Sequence, residues 1–298
     1  MRKPKGTLII IGGKEYKGDD GELDMERLNK NFVEYEILAN VIPLKEKKKN
    51  KTIEVITTAS EVPTAVAQDY KEAFAALGHK DVDFINIENR VQAQEEEYLE
   101  RIKKAHSVFF TGGDQFRLST ILGGTPLIEA IMERYYEDSE FVVAGTSAGA
   151  MVMSKIMLYE GHNMEAMLKG DVKTTLGFGF LDNCIIDTHF VKRGRLGRLV
   201  EAIVSNPPSV GIGLGEDTAL MITKGEVMEC SGSGMVVIVE GDNIKHTNVA
   251  YTEPNTPLCV ENMTIHILAS GNGYVLNERK FIPAEKDMEM ESTSNNKT

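Results

Sequence analysis

The strongest constraint on this chain is the alternation, over its first two thirds, of short apolar runs with longer amphipathic segments. GTLIII (6–11), TIEVITT (52–58), VDFINI (82–87), SVFFTG (107–112) and FVVAGT (141–146) are short, and most are rich in β-branched and aromatic residues. Runs of that kind read as strands of a sheet covered on both faces. The segments 25–41, 65–77, 90–105 and 126–136 between them predict helices. Strand and helix in alternation predict the α/β class, a doubly wound, mainly parallel sheet with helices on both faces. Such sheets bind ligands beyond the carboxyl ends of their strands. The residues that follow each apolar run are therefore the first to search for chemistry.

The last third changes character. GFGFLDNCIIDTHF leads into a basic segment with a predicted helix over 193–205. Strand-like runs follow near 209–222, 226–239, 247–251, 259–268 and 273–282, punctuated by glycine and Asn/Asp, and predict C-terminal hairpins that complete or flank the same sheet. Neither a linker nor an internal repeat divides the chain, so residues 1–283 read as one domain, a size at which a large core can close. PLKEKKKNK (43–51) reads as a solvated loop and QAQEEEYLE (92–100) as a solvated helix face. Residues 284–298 carry too little apolar content to fold and predict a disordered tail.

Composition excludes several function classes. A formal net charge of −12 repels a phosphate backbone, so no nucleic-acid partner is expected. The three cysteines, Cys184, Cys230 and Cys259, are widely spaced and form neither a disulfide framework nor a zinc-ligand pattern. They read as buried reduced thiols, and no metal or organic cofactor is expected. The first apolar run is too short for a signal peptide, and the longest one, 141–154, falls short of the roughly 20 residues a bilayer requires. The expectation is a cytoplasmic protein with no membrane partner.

The sharpest chemical signal is Gly145-Thr146-Ser147-Ala148-Gly149-Ala150, which follows an apolar strand and opens a predicted helix over 148–153. G-x-S-x-G in that setting predicts a nucleophile elbow, where a serine sits on a strained turn flanked by small residues. A serine that merely caps the helix would give the same local pattern. Thr111-Gly112-Gly113-Asp114-Gln115 follows SVFF, and a diglycine there can aim backbone N–H groups at an oxyanion. The candidate donors are the N–H groups of Gly113 and Ala148, with Gln115 placed to hydrogen-bond substrate from the same loop. Gly12-Gly13 after the first strand is a similar turn with less to commend it.

A serine nucleophile needs a base, and of the six histidines His189 stands out by position. It follows the apolar strand CIID and precedes Lys192, Arg193, Arg195 and Arg198, cations that oppose the macrodipole at a helix start and suit an anion site. The acid that would orient the base is open among Glu216, Asp217 and Asp187.

TGGDQ, GTSAGAMVMS, DTHFVKRGRLGRL and GIGLGEDTAL, in this order and spacing and together with the N-terminal KGTLIIIGG, resemble the cyanophycinase family. That family belongs with the aspartyl dipeptidases, in a fold similar to class I glutamine amidotransferases. The resemblance covers roughly residues 5–282 and implies hydrolysis of cyanophycin, a poly-aspartate backbone with arginine on each side chain, to β-Asp-Arg dipeptides. It implies Ser147 as nucleophile, His189 as general base and Glu216 as orienting acid. It places Gln115, Asp187, Arg193, Arg195 and Arg198 in the substrate pocket, and it implies a homodimer. One position departs: Thr188 stands where the cyanobacterial enzymes carry glutamine. That leaves a related peptidase of short aspartyl or isoaspartyl peptides as one alternative, and a non-catalytic binding protein on the same fold as another.

Overall fold

The computed structural model describes residues 2–18, 29–30, 32–43, 51–162 and 166–285. Five of its strands are the forecast apolar runs: β1 (Thr7–Ile11), β2 (Ile53–Ile56), β3 (Val82–Ile85), β4 (Ser107–Phe110) and β5 (Val142–Thr146). They lie parallel in the order β1-β5-β4-β2-β3. Side chains alternate across a strand, so β1 feeds two cores at once. Leu8 and Ile10 join the cluster that holds Phe110 and Val143, while Ile9 and Ile11 join the opposite cluster with Val55, Phe109 and Ala144.

Helices cover both faces. On one side lie α1 (Glu36–Ala39) and α2 (Pro63–Ala76), through Leu38, Tyr70 and Phe74. On the other lie α3 (Glu96–Lys104), α4 (Gln115–Leu122), α5 (Pro126–Glu137) and α6 (Ala148–Met151), through Ile102, Leu118, Ile131 and Ala150. α4 was not forecast. Asp114 starts it by accepting the N–H groups of Phe116 and Arg117 at 2.8 and 3.1 Å.

Of the helix expected over 25–41, residues 25–28 and 31 lie outside the described set, and the described remainder is helical only in α1. α1 starts only after Tyr35, whose φ of 59° is not helical and whose ring packs edge-on against Tyr16. Most of the charged segment 43–51 also lies outside the described residues. The same holds for residues 286–298 of the expected tail, whereas Ala284 is buried.

Most of the C-terminal strands divide between two sheets. β10 (Thr218–Thr223), β11 (Val227–Gly232), β16 (Gly273–Val275) and β17 (Lys280–Ile282) extend the main sheet beyond β1, each pairing antiparallel. A second sheet has the order β15-β12-β9-β8, from β8 (Cys184–Asp187), β9 (Val210–Leu214), β12 (Val236–Glu240) and β15 (Thr264–Leu268). Its Ile186, Ile212 and Ile238 pack into the Leu8/Ile10 cluster. The run 209–222 is thus two strands in different sheets, broken at 215–217 where Asp217 adopts φ 45°. A β6 (Ile156–Glu160) and β7 (Lys173–Leu176) hairpin is not among the expected elements, and β13 (His246–Thr247) pairs with β14 (Val260–Glu261) in a separate two-stranded sheet. α7 (Leu196–Ser205) falls within the basic helix expected at 193–205. Cys184 and Cys230 are free thiols buried as expected, with pKa values pushed up to about 12 by burial, whereas Cys259 is exposed, against the expectation. Among the described residues no helix is long and apolar enough to cross a membrane.

Candidate active site

The carboxyl ends of β1, β4, β5, β8 and β9 converge, and the loop after β1 ties them together. The Ile11 carbonyl accepts the Ser147 N–H at 3.0 Å, the Gly12 carbonyl the His189 N–H at 2.9 Å, and the Gly13 carbonyl the Asp217 N–H at 2.9 Å. Three successive peptide groups therefore hold segments that come from both sheets. In sequence the Gly12-Gly13 turn carries little weight. Its signal was a diglycine at the end of a central strand, the same feature that marked Gly112-Gly113.

Ser147 itself is strained. Its φ of 50° and ψ of −114° lie in a region that a non-glycine residue enters at a cost of about 1–3 kcal/mol. The surrounding backbone compels that turn. A Cβ on Gly149 would stand 2.2 Å from the Phe110 carbonyl oxygen, so the elbow is pressed directly onto β4.

The side chains of the three segments form one hydrogen-bonded chain. Ser147 Oγ lies 3.0 Å from His189 Nε2, and His189 Nδ1 lies 2.7 Å from Glu216 Oε1. The second Glu216 oxygen meets Lys192 Nζ at 3.2 Å. Burial holds the His189 imidazole below its ordinary pKa, opposed by the Glu216 hydrogen bond and assisted by the Arg193 and Arg195 charges. For Glu216 burial acts upward, but the bonds from His189 and Lys192 outweigh it and the carboxyl titrates below its usual range. A neutral imidazole that donates from Nδ1 to a carboxylate leaves Nε2 free to accept a serine proton.

Of the two remaining acids, Asp217 turns away from the histidine. It accepts the Tyr16 N–H at 3.2 Å and the Ser233 hydroxyl at 2.6 Å, and burial raises its pKa. Asp187 is fully buried and paired with arginines. Arg198 binds it through Nε at 2.6 Å and a second nitrogen at 2.5 Å, and Arg195 reaches the same carboxylate at 3.0 Å.

Ser147 and His189 open onto a cavity of about 720 Å³. Of the residues expected to bind substrate, Gln115, Thr188, Arg193 and Arg195 line it, as does Gly113. Asp187 and Arg198 do not, because their charges are spent on each other beneath the surface. Gln115 also turns its amide nitrogen toward the Tyr159 carbonyl, at 3.2 Å. Ala148 begins α6, where a first-turn N–H has no partner within the helix. Much of the lining carries no signal in the sequence. Lys14, Glu15 and Lys17 come from the loop after β1, and Asp69, Tyr70 and Glu72 from α2, so the cavity carries both signs of charge.

Residues 20–230 match the model of peptidase family S51. The chain is 36% identical over 222 residues to a cyanophycinase of Geminocystis herdmanii, a match that covers 74% of this chain and 81% of the relative. A cyanophycinase of Trichormus variabilis is 34% identical over 232 residues, with 78% of each chain covered. The crystal structure of a peptidase from an acI-B1 Actinobacterium shares the fold with a TM-score of 0.63 at 23% identity, covering 92% of this chain and 98% of that one.

Proposed function

This chain belongs to peptidase family S51 and is a serine-type peptidase; from that footing we propose that Ser147 is its nucleophile and cyanophycin its substrate. His189 Nε2 takes the Ser147 proton as Oγ attacks a peptide carbonyl, and Glu216 holds the imidazole in the required tautomer. The N–H groups of Gly113 and Ala148 receive the oxyanion. His189 then protonates the leaving amine, and water releases the acyl group by the same route in reverse roles.

The observation that carries this reading is the Ser147–His189–Glu216 chain, opening onto a cavity of mixed charge. Each repeat of cyanophycin presents a carboxylate and a guanidinium. Arg193 and Arg195 offer cations to the first, and Asp69 and Glu72 offer anions to the second. A second reading rests on Thr188, which lines the cavity with a short hydroxyl where a glutamine amide would reach further. It favours short aspartyl or isoaspartyl peptides.

Release of β-Asp-Arg from purified cyanophycin, measured for the wild type and Ser147→Ala, tests both. Dipeptide from the wild type alone supports the first reading. Turnover of short isoaspartyl peptides with the polymer left intact supports the second, and equal release by both proteins removes Ser147 from the mechanism.

A further inference from the structure

The loop after β1 does more than supply carbonyls. Past Gly13 it turns back and buries Glu15, which is 1% exposed, beside the elbow. One carboxylate oxygen accepts the Thr146 hydroxyl at 2.6 Å, and the other accepts the Tyr70 hydroxyl at 2.5 Å. Thr146 immediately precedes Ser147, and Tyr70 stands on α2 at the cavity wall. Burial, reinforced by the Glu15 charge, pushes the Tyr70 hydroxyl well above its ordinary pKa and keeps it a donor.

We propose that Glu15 is a positioning residue for the nucleophile, anchoring Thr146 so that the strained Ser147 backbone keeps Oγ on His189. The inference rests on the reading of Ser147 as nucleophile. A backbone held at φ 50° persists only where its neighbours over-determine it. The Ser147 N–H bond to Ile11 fixes one side of that peptide; the preceding residue, Thr146, is paired with Ile11 in the β1–β5 ladder, and its side chain adds a second anchor on Glu15. Because both partners donate to the same carboxylate, an amide at position 15 cannot accept from both. Thr146 then loses a charge-assisted bond, and the end of β5 gains freedom at the one residue whose placement sets the reaction distance.

The test uses Glu15→Gln, Thr146→Val and the double variant. The readouts are kcat and KM on cyanophycin and the rate at which a small fluorophosphonate modifies Ser147. Misplacement of a reacting atom acts on the chemical step, so Glu15→Gln should lower both kcat and the modification rate by about 10- to 100-fold. KM should stay within about twofold. The double variant should be no slower than the slower single one, because both substitutions remove the same contact.

A modification rate close to wild type, or an effect confined to KM, would overturn the proposal. Should Glu15→Gln fail to fold, Thr146→Val carries the test alone, and undiminished kcat in that near-isosteric variant overturns it. Turnover that survives Ser147→Ala would sink the nucleophile reading and this proposal together. A dead Ser147→Ala beside a fully active Glu15→Gln would sink this proposal only.

Discussion

Gly13 lies against the ring of His189 so closely that a Cβ there would stand 2.5 Å from both Cε1 and Nε2. Its φ of +98° is also one that L side chains rarely adopt. The carbonyl of the preceding residue, Gly12, accepts the His189 N–H. Backbone and imidazole of the proposed base are thus both set by the same two-residue turn.

Gly13→Ala should therefore push the imidazole off Ser147. The expected result is a loss of at least about 100-fold in kcat, the scale of a misplacement near 1 Å. Circular dichroism should show the secondary structure retained. Activity within a few-fold of wild type would mean that the ring has room the packing does not show.

Glu216 and Asp217 are neighbours with different expected roles. Glu216→Gln replaces an acceptor-only carboxylate with an amide that can donate to Nδ1 and favour the wrong His189 tautomer, and a drop of about 10³- to 10⁴-fold in kcat is expected, as for other triads. Asp217→Asn alters bonds to Tyr16 and Ser233 and should cost far less in kcat. Steady-state kinetics on the pair settles which acid serves the base.

The pH profile carries its own sign. Only neutral imidazole can accept the Ser147 proton, so activity falls as pH drops through the His189 pKa. That pKa lies below the ordinary 6.5. The acidic limb of kcat/KM should accordingly have its midpoint below 6.5, with full activity at neutrality. Arg193 helps depress the value, so Arg193→Met should move the midpoint upward. A downward move would contradict the electrostatics.

The buried Asp187 should matter for stability. Asp187→Asn leaves the buried Arg198 and the neighbouring Arg195 without their counter-charge, and unpairing a buried ion costs about 3–5 kcal/mol. The urea midpoint should fall accordingly. A midpoint unchanged beside a raised KM would instead indicate direct contact with substrate.

The amino-acid sequence by itself determined the parallel half of the sheet and the elbow. Both are local: an apolar run of four or five residues must be buried, and a serine flanked by glycines between strand and helix can take only a tight turn. Its motifs also singled out His189 and left the acid open among Glu216, Asp217 and Asp187, with the resemblance pointing to Glu216. Which acid reaches the imidazole depended on how β9 and β10 part into separate sheets, and no periodicity records which strands become neighbours. The same holds for Asp187 and Arg198, residues that the family resemblance puts in the substrate pocket and that close on each other once β8 and α7 pack. Glu15 is 131 residues from Thr146 along the chain, and a bond of that span exists only after the core has closed. Tertiary structure decided these partners because a side chain's charge is written in the sequence, whereas what it faces is set by the packing of distant elements.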